Sequence, residues 1–100
     1  MNILKLKDIK ESDMIPPDNW DYHQWQILND LGFKLDGSFK MTLEHEDDFG
    51  GVEKTINMSV FKKKNGWYLE YKKNNNKEEI VGPTKFFDLT DIIHDIFQKF

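Results

Sequence analysis

The sequence predicts an α+β domain: a small antiparallel sheet of three to four strands, with two helices packed on one face. Three observations carry this. Residues 56–73 read as a β-hairpin, with Asn65-Gly66 set between two alternating runs. Leu89, Ile92, Ile93, Ile96, Phe97 and Phe100 recur at the spacing of one helical face. Trp20, Ile27 and Leu31, flanked by Leu28, line up in the same way between a proline pair and Gly32. The resulting order is α-β-β-β-(β)-α, with room for an extra N-terminal edge strand, in a single domain over residues 1–100.

The elements follow in chain order. Ile3, Leu4, Leu6 and Ile9 suit a short edge strand or a segment laid on the core. Pro16-Pro17 ends whatever precedes it, because a residue before proline is pushed out of helical geometry. Asp18 then fits an N-cap for a helix from about Trp20 to Leu31, and Gly32 fits its left-handed stop. Tyr22 points away from the apolar stripe and reads as a surface aromatic.

Beyond Gly32 the period switches to two. Phe39, Met41, Leu43 and His45 alternate with Lys40, Thr42, Glu44 and Glu46, as in a half-buried strand. Residues 47–51 read as a turn, then comes the hairpin, then an Asn74-Asn75-Asn76 turn. Glu79-Ile80-Val81 fits a short last strand before Gly82-Pro83. Asp88 fits the N-cap of the last helix, whose acids sit early and whose Lys99 sits late, as the helix dipole favours.

A two-residue Asn65-Gly66 loop of type I′ would pair Lys64 with Trp67 and Phe61 with Glu70. Met58, Val60, Leu69 and Tyr71 then face the core, with Trp67 at its edge and Lys62 and Lys64 beside it. Ser59, Phe61, Lys63, Tyr68, Glu70 and Lys72 face the other way. The expected core is Trp20, Ile27, Leu28, Leu31, Phe39, Met41, Leu43, Ile56, Met58, Val60, Leu69, Tyr71, Ile92, Ile93, Ile96 and Phe97.

Composition narrows the function classes. Net charge is −4, and all 14 basic residues are lysine. Without arginine there is no bidentate fork for phosphate or guanine. Alanine is absent too, while Lys, Asn, Ile and Asp are abundant, the usage of an AT-rich genome such as those of some bacteria and phages. Charge is uneven: residues 1–51 hold five Lys against eleven acids, and residues 52–80 hold seven Lys against four acids. There is no cysteine, hence no disulfide framework and no thiolate metal site. No apolar run approaches a membrane span, so the expected location is cytoplasmic and no membrane partner is expected.

Two surfaces stand out. Phe61 and Tyr68 flanked by Lys63 and Lys72 have the composition that stacks bases and neutralises phosphates, or that anchors a protein. Glu44, Glu46, Asp47 and Asp48 form the alternative, an acidic surface able to meet a basic partner. As metal ligands the acids are badly placed, since Glu44 and Glu46 share one strand face while His45 takes the other. There is no EF-hand spacing, no HExxH, no nucleophile elbow and no phosphate-cradling glycine loop. His94 beside Asp91 is the nearest thing to a catalytic pair, with no nucleophile in a suitable context. The sequence thus predicts no catalytic residue, no metal and no cofactor.

The element order resembles that of double-stranded-RNA-binding domains, and Gly82-Pro83 before the last helix echoes their pattern. Their lysine-rich start to the second helix is replaced here by Asp88 and Asp91. The leading expectation is therefore a small acidic intracellular protein-binding module, of the sort a phage or mobile element uses to inhibit a host nucleic-acid enzyme. The alternative is a nucleic-acid-binding domain using the basic aromatic hairpin face.

Overall fold

The computed structural model describes residues 14–49, 52–74 and 77–99. The apolar residues expected in an N-terminal edge strand, Ile3 to Ile9, lie outside them, as does Phe100.

Among the described residues, six strands and two α-helices follow in order: β1 (Met14–Ile15), α1 (Tyr22–Leu31), β2 (Lys34–Asp36), β3 (Lys40–Phe49), β4 (Val52–Lys63), β5 (Gly66–Lys73), β6 (Glu79–Thr84) and α2 (Phe86–Gln98). The protein is α+β, and its sheet is larger than the three to four strands expected. All pairings are antiparallel, in the order β2-β3-β4-β5-β6, with β1 pairing β4. β3 stops pairing with β4 at Lys40↔Phe61. β1 then takes over the same edge at Ile15↔Lys62 and Met14↔Lys63.

The extra strands have local causes. β2 is short and wholly exposed, so it carries no alternating signal; a turn through Gly37, at φ +71, folds it onto β3. β3 and β4 are longer than the alternation suggests. Asp47, Asp48 and Phe49 pair with Lys54, Glu53 and Val52, so they belong to the ladder and not to the turn expected over 47–51; Gly50 and Gly51 lie outside the described residues. β6 continues through Gly82 and Pro83 to Thr84, as an edge strand can, because proline there forfeits no ladder bond.

Helix starts also differ from expectation. Pro17–Asn19 form a 3₁₀ turn and Trp20 is extended, so α1 cannot begin until Tyr22. Its N-cap is Asp21, not Asp18: the Asp21 carboxylate accepts from the His23 backbone N–H at 2.9 Å. Gly32 closes the helix at φ +109, as expected. α2 starts at Phe86 with Lys85 at the N-cap position and no side-chain cap, so Asp88 lies inside the first turn.

The hairpin keeps its faces but not its register. The central loop pair is Lys64-Asn65, with Lys63 opposite Gly66, Phe61 opposite Tyr68 and Val60 opposite Leu69. Neither loop residue has positive φ; Gly66 takes it instead, at +145. The type I′ loop over Asn65-Gly66 is thus replaced. The slip is two residues, an even number, so each side chain stays on its predicted face.

One of those faces holds the main core. Met41, Leu43, Ile56, Met58, Val60 and Leu69 cluster with Trp20 and Leu28 and with Phe86, Leu89, Ile93 and Ile96 of α2. Phe33, completely buried, joins them although its position after Gly32 hides it from any periodic pattern. Trp67, expected at the margin, is central: its ring lies 4.9 Å from Trp20 and 4.9 Å from Phe86.

The opposite face carries a second, smaller cluster. Phe61 and Tyr68 are buried with Met14, and Phe39 and Ile80 pack against them. Phe39, expected in the main core, therefore belongs here.

Candidate functional site

The hairpin face does not offer the surface expected of it. Phe61 is 0% exposed and Tyr68 6%. Their rings stack on each other at 5.1 Å, and Tyr68 Oη donates to Asn65 Oδ1 at 3.1 Å. Two aromatics sealed under Met14, Phe39 and Ile80 cannot stack on bases. Alternation within the hairpin predicts a bare second face, but non-local segments fold over it. The lysines do not restore the patch. Lys63 Nζ sits over the Tyr68 ring at 5.6 Å. Lys72 pairs with Asn57, six residues along β4 and so roughly 20 Å away. Lys72 instead lines a shallow depression of about 390 Å3 with Lys40, Asn57, Ser59, Glu70 and Glu78. Its charges are mixed, which favours neither an anion nor a cation.

The structure places the residues of the acidic alternative on β3. Glu44 and Glu46 are exposed and share the face opposite the main core. Asp47 and Asp48 belong to β3, but their side chains lie outside the described residues. His45 takes the other face, its ring edge-on to Phe97 at 5.8 Å. Among the described residues, no three His, Cys, Asp or Glu side chains gather as a metal site would need. His94 and Asp91 are both exposed on α2. No helix among the described residues is long and apolar enough to cross a membrane.

The arrangement that the sequence did not reveal lies at the hairpin tip. The end of β6 runs beside the tip: a Cβ on Gly66 would come 3.1 Å from Pro83 Cβ and 3.1 Å from the Thr84 carbonyl oxygen. This close approach brings Lys85 and the start of α2 up to the lysine run. The result is a groove of about 470 Å3 lined by Lys62, Lys63, Lys64 and Lys85, with no acidic side chain among the described residues of its wall. Its floor is apolar, made by Trp67, Pro83 and Phe86. Lys62 is held in place with its Nζ 5.3 Å over the Trp67 ring.

Two further features belong to this groove. Gln24, from the first turn of α1, lines it, and Gln24 Oε1 is shut off from solvent with no hydrogen-bond partner among the described residues. A buried acceptor left unmatched costs about 1–3 kcal/mol, so it marks a place where a donor is wanted. Next to the groove, Phe87 projects from the first turn of α2 at 72% exposure, beside its buried neighbour Phe86. An exposed phenylalanine beside lysines is the usual make-up of a protein contact anchor. In sequence, the pleat assigns Lys62 and Lys64 to one face and Lys63 to the other. At the strand end all three border one opening.

Comparison with protein-family models, curated proteins and solved structures finds no match to this chain. Its function is therefore argued from the geometry of its own side chains.

Proposed function

We propose that this chain is a small, non-enzymatic protein-binding module that works in the cytoplasm and holds its partner at the hairpin tip. The observation that carries this is the groove: four lysines and no acid among the described residues of its wall, in a chain of net charge −4, with Phe87 exposed beside it. Concentrating cations on one opening of an acidic protein orients an approaching partner by charge. The apolar floor and Phe87 supply the area that desolvates on contact.

Both helices cover the main-core face in this reading, and β1 with Phe39 and Ile80 covers part of the other. Among the described residues, nothing closes over the tip, where these coverings meet. The runner-up, nucleic-acid binding through the hairpin face, loses its stacking platform with Phe61 and Tyr68 buried. The lysine-only, alanine-free composition fits an AT-rich genome such as those of some bacteria and phages, and the polarised charge with an exposed aromatic is the ground for reading the chain as a phage or mobile-element inhibitor of a host enzyme.

A photo-crosslinking amino acid at position 87, with one at exposed position 46 as control, tests the reading in cells of the natural host. A single protein captured from position 87 and not from position 46 is the expected result. Equal capture from both positions, or none from 87, would defeat it.

A further inference from the structure

We propose that the groove receives an acidic peptide segment that also carries an apolar side chain, presented by the partner protein. This deepens the module reading and rests on it. Carboxylates of the segment would meet Lys62, Lys64 and Lys85, all of which border the opening. An apolar side chain between them would lie on Trp67, Pro83 and Phe86, which form its floor. Gln24 lines the same opening, and a rotation of its side-chain amide would turn Oε1, enclosed and without a partner among the described residues, to accept a main-chain N–H of the segment.

Charge complementarity selects an anionic occupant, and the other features select a peptide. A phosphodiester backbone carries no N–H for Gln24 Oε1, whereas every peptide unit but proline does. The apolar floor is of no use to phosphates and suits Leu or Phe. Phe61 and Tyr68, the stacked pair that the hairpin face would have offered to bases, are buried on the far face. α2 reinforces the choice of an anion: its N-terminus has no side-chain cap, so its first N–H groups keep their positive end of the helix dipole turned outward. Asp88 in that turn offsets part of this, and it does not line the groove. Peptide carboxylates are weaker demands on such a site than the dense charge of a nucleic acid, which would also meet the net −4 of the whole chain.

The test is fluorescence anisotropy on the full chain with three labelled probes. One is a short peptide alternating Asp and Glu with Leu and Phe. The second is the same peptide with every acid replaced by its amide, and the third is an oligothymidylate of equal charge. The acidic peptide should bind, the amide peptide at least ~10-fold more weakly, and the oligonucleotide more weakly than the acidic peptide. Lys64→Glu/Lys85→Glu, a pair of exposed positions that leaves the core untouched, should cost the acidic peptide at least ~10-fold. Gln24→Leu should weaken it several-fold without changing its salt dependence, since no charge is lost. Equal binding of the acidic and amide peptides, an oligonucleotide that binds as tightly, or indifference to the lysine pair would each overturn the inference. If position 87 still captures a partner while the acidic peptide fails, the acidic-segment inference falls and the module reading stands. If position 87 captures nothing, the reading itself falls.

Discussion

The rings of Phe61 and Tyr68 lie parallel, 1° apart in plane with centroids 5.1 Å apart, directly opposite one another on β4 and β5. They form the centre of a second small core on the sheet face away from the main one. This pair decides how both faces of the sheet are read, because residues that would recognise a ligand have been used to close the fold.

Their role in stability is the first prediction. Phe61→Ala should cost about 3–5 kcal/mol, the range for truncating a buried aromatic. Tyr68→Phe keeps the ring and removes only the hydroxyl that donates to Asn65 Oδ1, so about 0.5–1.5 kcal/mol is expected. Urea denaturation of the two variants measures this. A Phe61→Ala cost below that of Tyr68→Phe would mean the pair is exposed in solution and the second core is not formed.

Gly82 offers a sharper test of how tightly β6 lies on this pair. A Cβ there would come within 2.6 Å of both the Trp67 carbonyl oxygen and Tyr68 Cδ1, and its φ is +140. Gly37 has positive φ as well, at +71, but open space around it. Gly37→Ala should therefore cost only the left-handed penalty of about 1–2 kcal/mol. Gly82→Ala adds a collision with backbone, which cannot move aside as a flexible side chain would, and should cost at least ~2 kcal/mol more. Thermal or urea unfolding of the two variants side by side gives the comparison, and equal costs would place β6 further from the hairpin than described.

These cases show what was legible in the sequence. Strand parity is a local property, written in the alternation of Ile56, Met58 and Val60 against Leu69 and Tyr71. It survives a register slip of two residues, so the faces are those the alternation predicts while the cross-strand pairs differ. The choice of Lys64-Asn65 over Asn65-Gly66 as the loop was not legible, because both bring Gly66 to positive φ. Burial of Phe61 and Tyr68 depends on Met14, Phe39 and Ile80, which lie 12 or more residues from at least one ring. No periodicity within the hairpin can report on such neighbours. The groove was hidden for the same reason. Lys85 is 21 residues from Lys64, and only the path of β6 brings the two together. The acids that misled the reading of helix starts, Asp18 and Asp88, are good N-caps in isolation; the 3₁₀ turn at Pro17 and the burial of Phe86 outweigh them.

That last contrast yields a prediction about caps. Asp21 is the residue whose carboxylate meets a free helix N–H, at 2.9 Å from His23 N. Asp21→Ala should lower stability by about 0.5–2 kcal/mol. Asp18→Ala, at an exposed position of the 3₁₀ turn, should stay within about 0.5 kcal/mol of the parent. Urea midpoints of the two variants separate them. A larger loss at Asp18 would restore the earlier helix start that the sequence suggests.

Tyr71 provides a pH-dependent handle on the β5–β6 pairing. It stands opposite Glu79, and its hydroxyl donates to Glu79 Oε2. That hydrogen bond, then burial, then the charge on Glu79 push the phenol up from 10.0 to about 12. In the unfolded chain it titrates near ~10. Between about pH 10 and 12 the folded state therefore keeps a proton that the unfolded state has released. The stabilisation is complete below ~10 and is lost as pH rises through 12. Solvent reaches the pair, so the amount is less than about 1 kcal/mol. Other groups titrate in the same range, so the readout is the difference between the parent and Tyr71→Phe. In the folded protein, phenolate absorbance lost with that substitution should appear near pH 12, and in strong urea it should move back to near ~10. A difference titration already centred near ~10 in the folded protein would show that Tyr71 and Glu79 are not bonded in solution, and with them the register of β6 on β5.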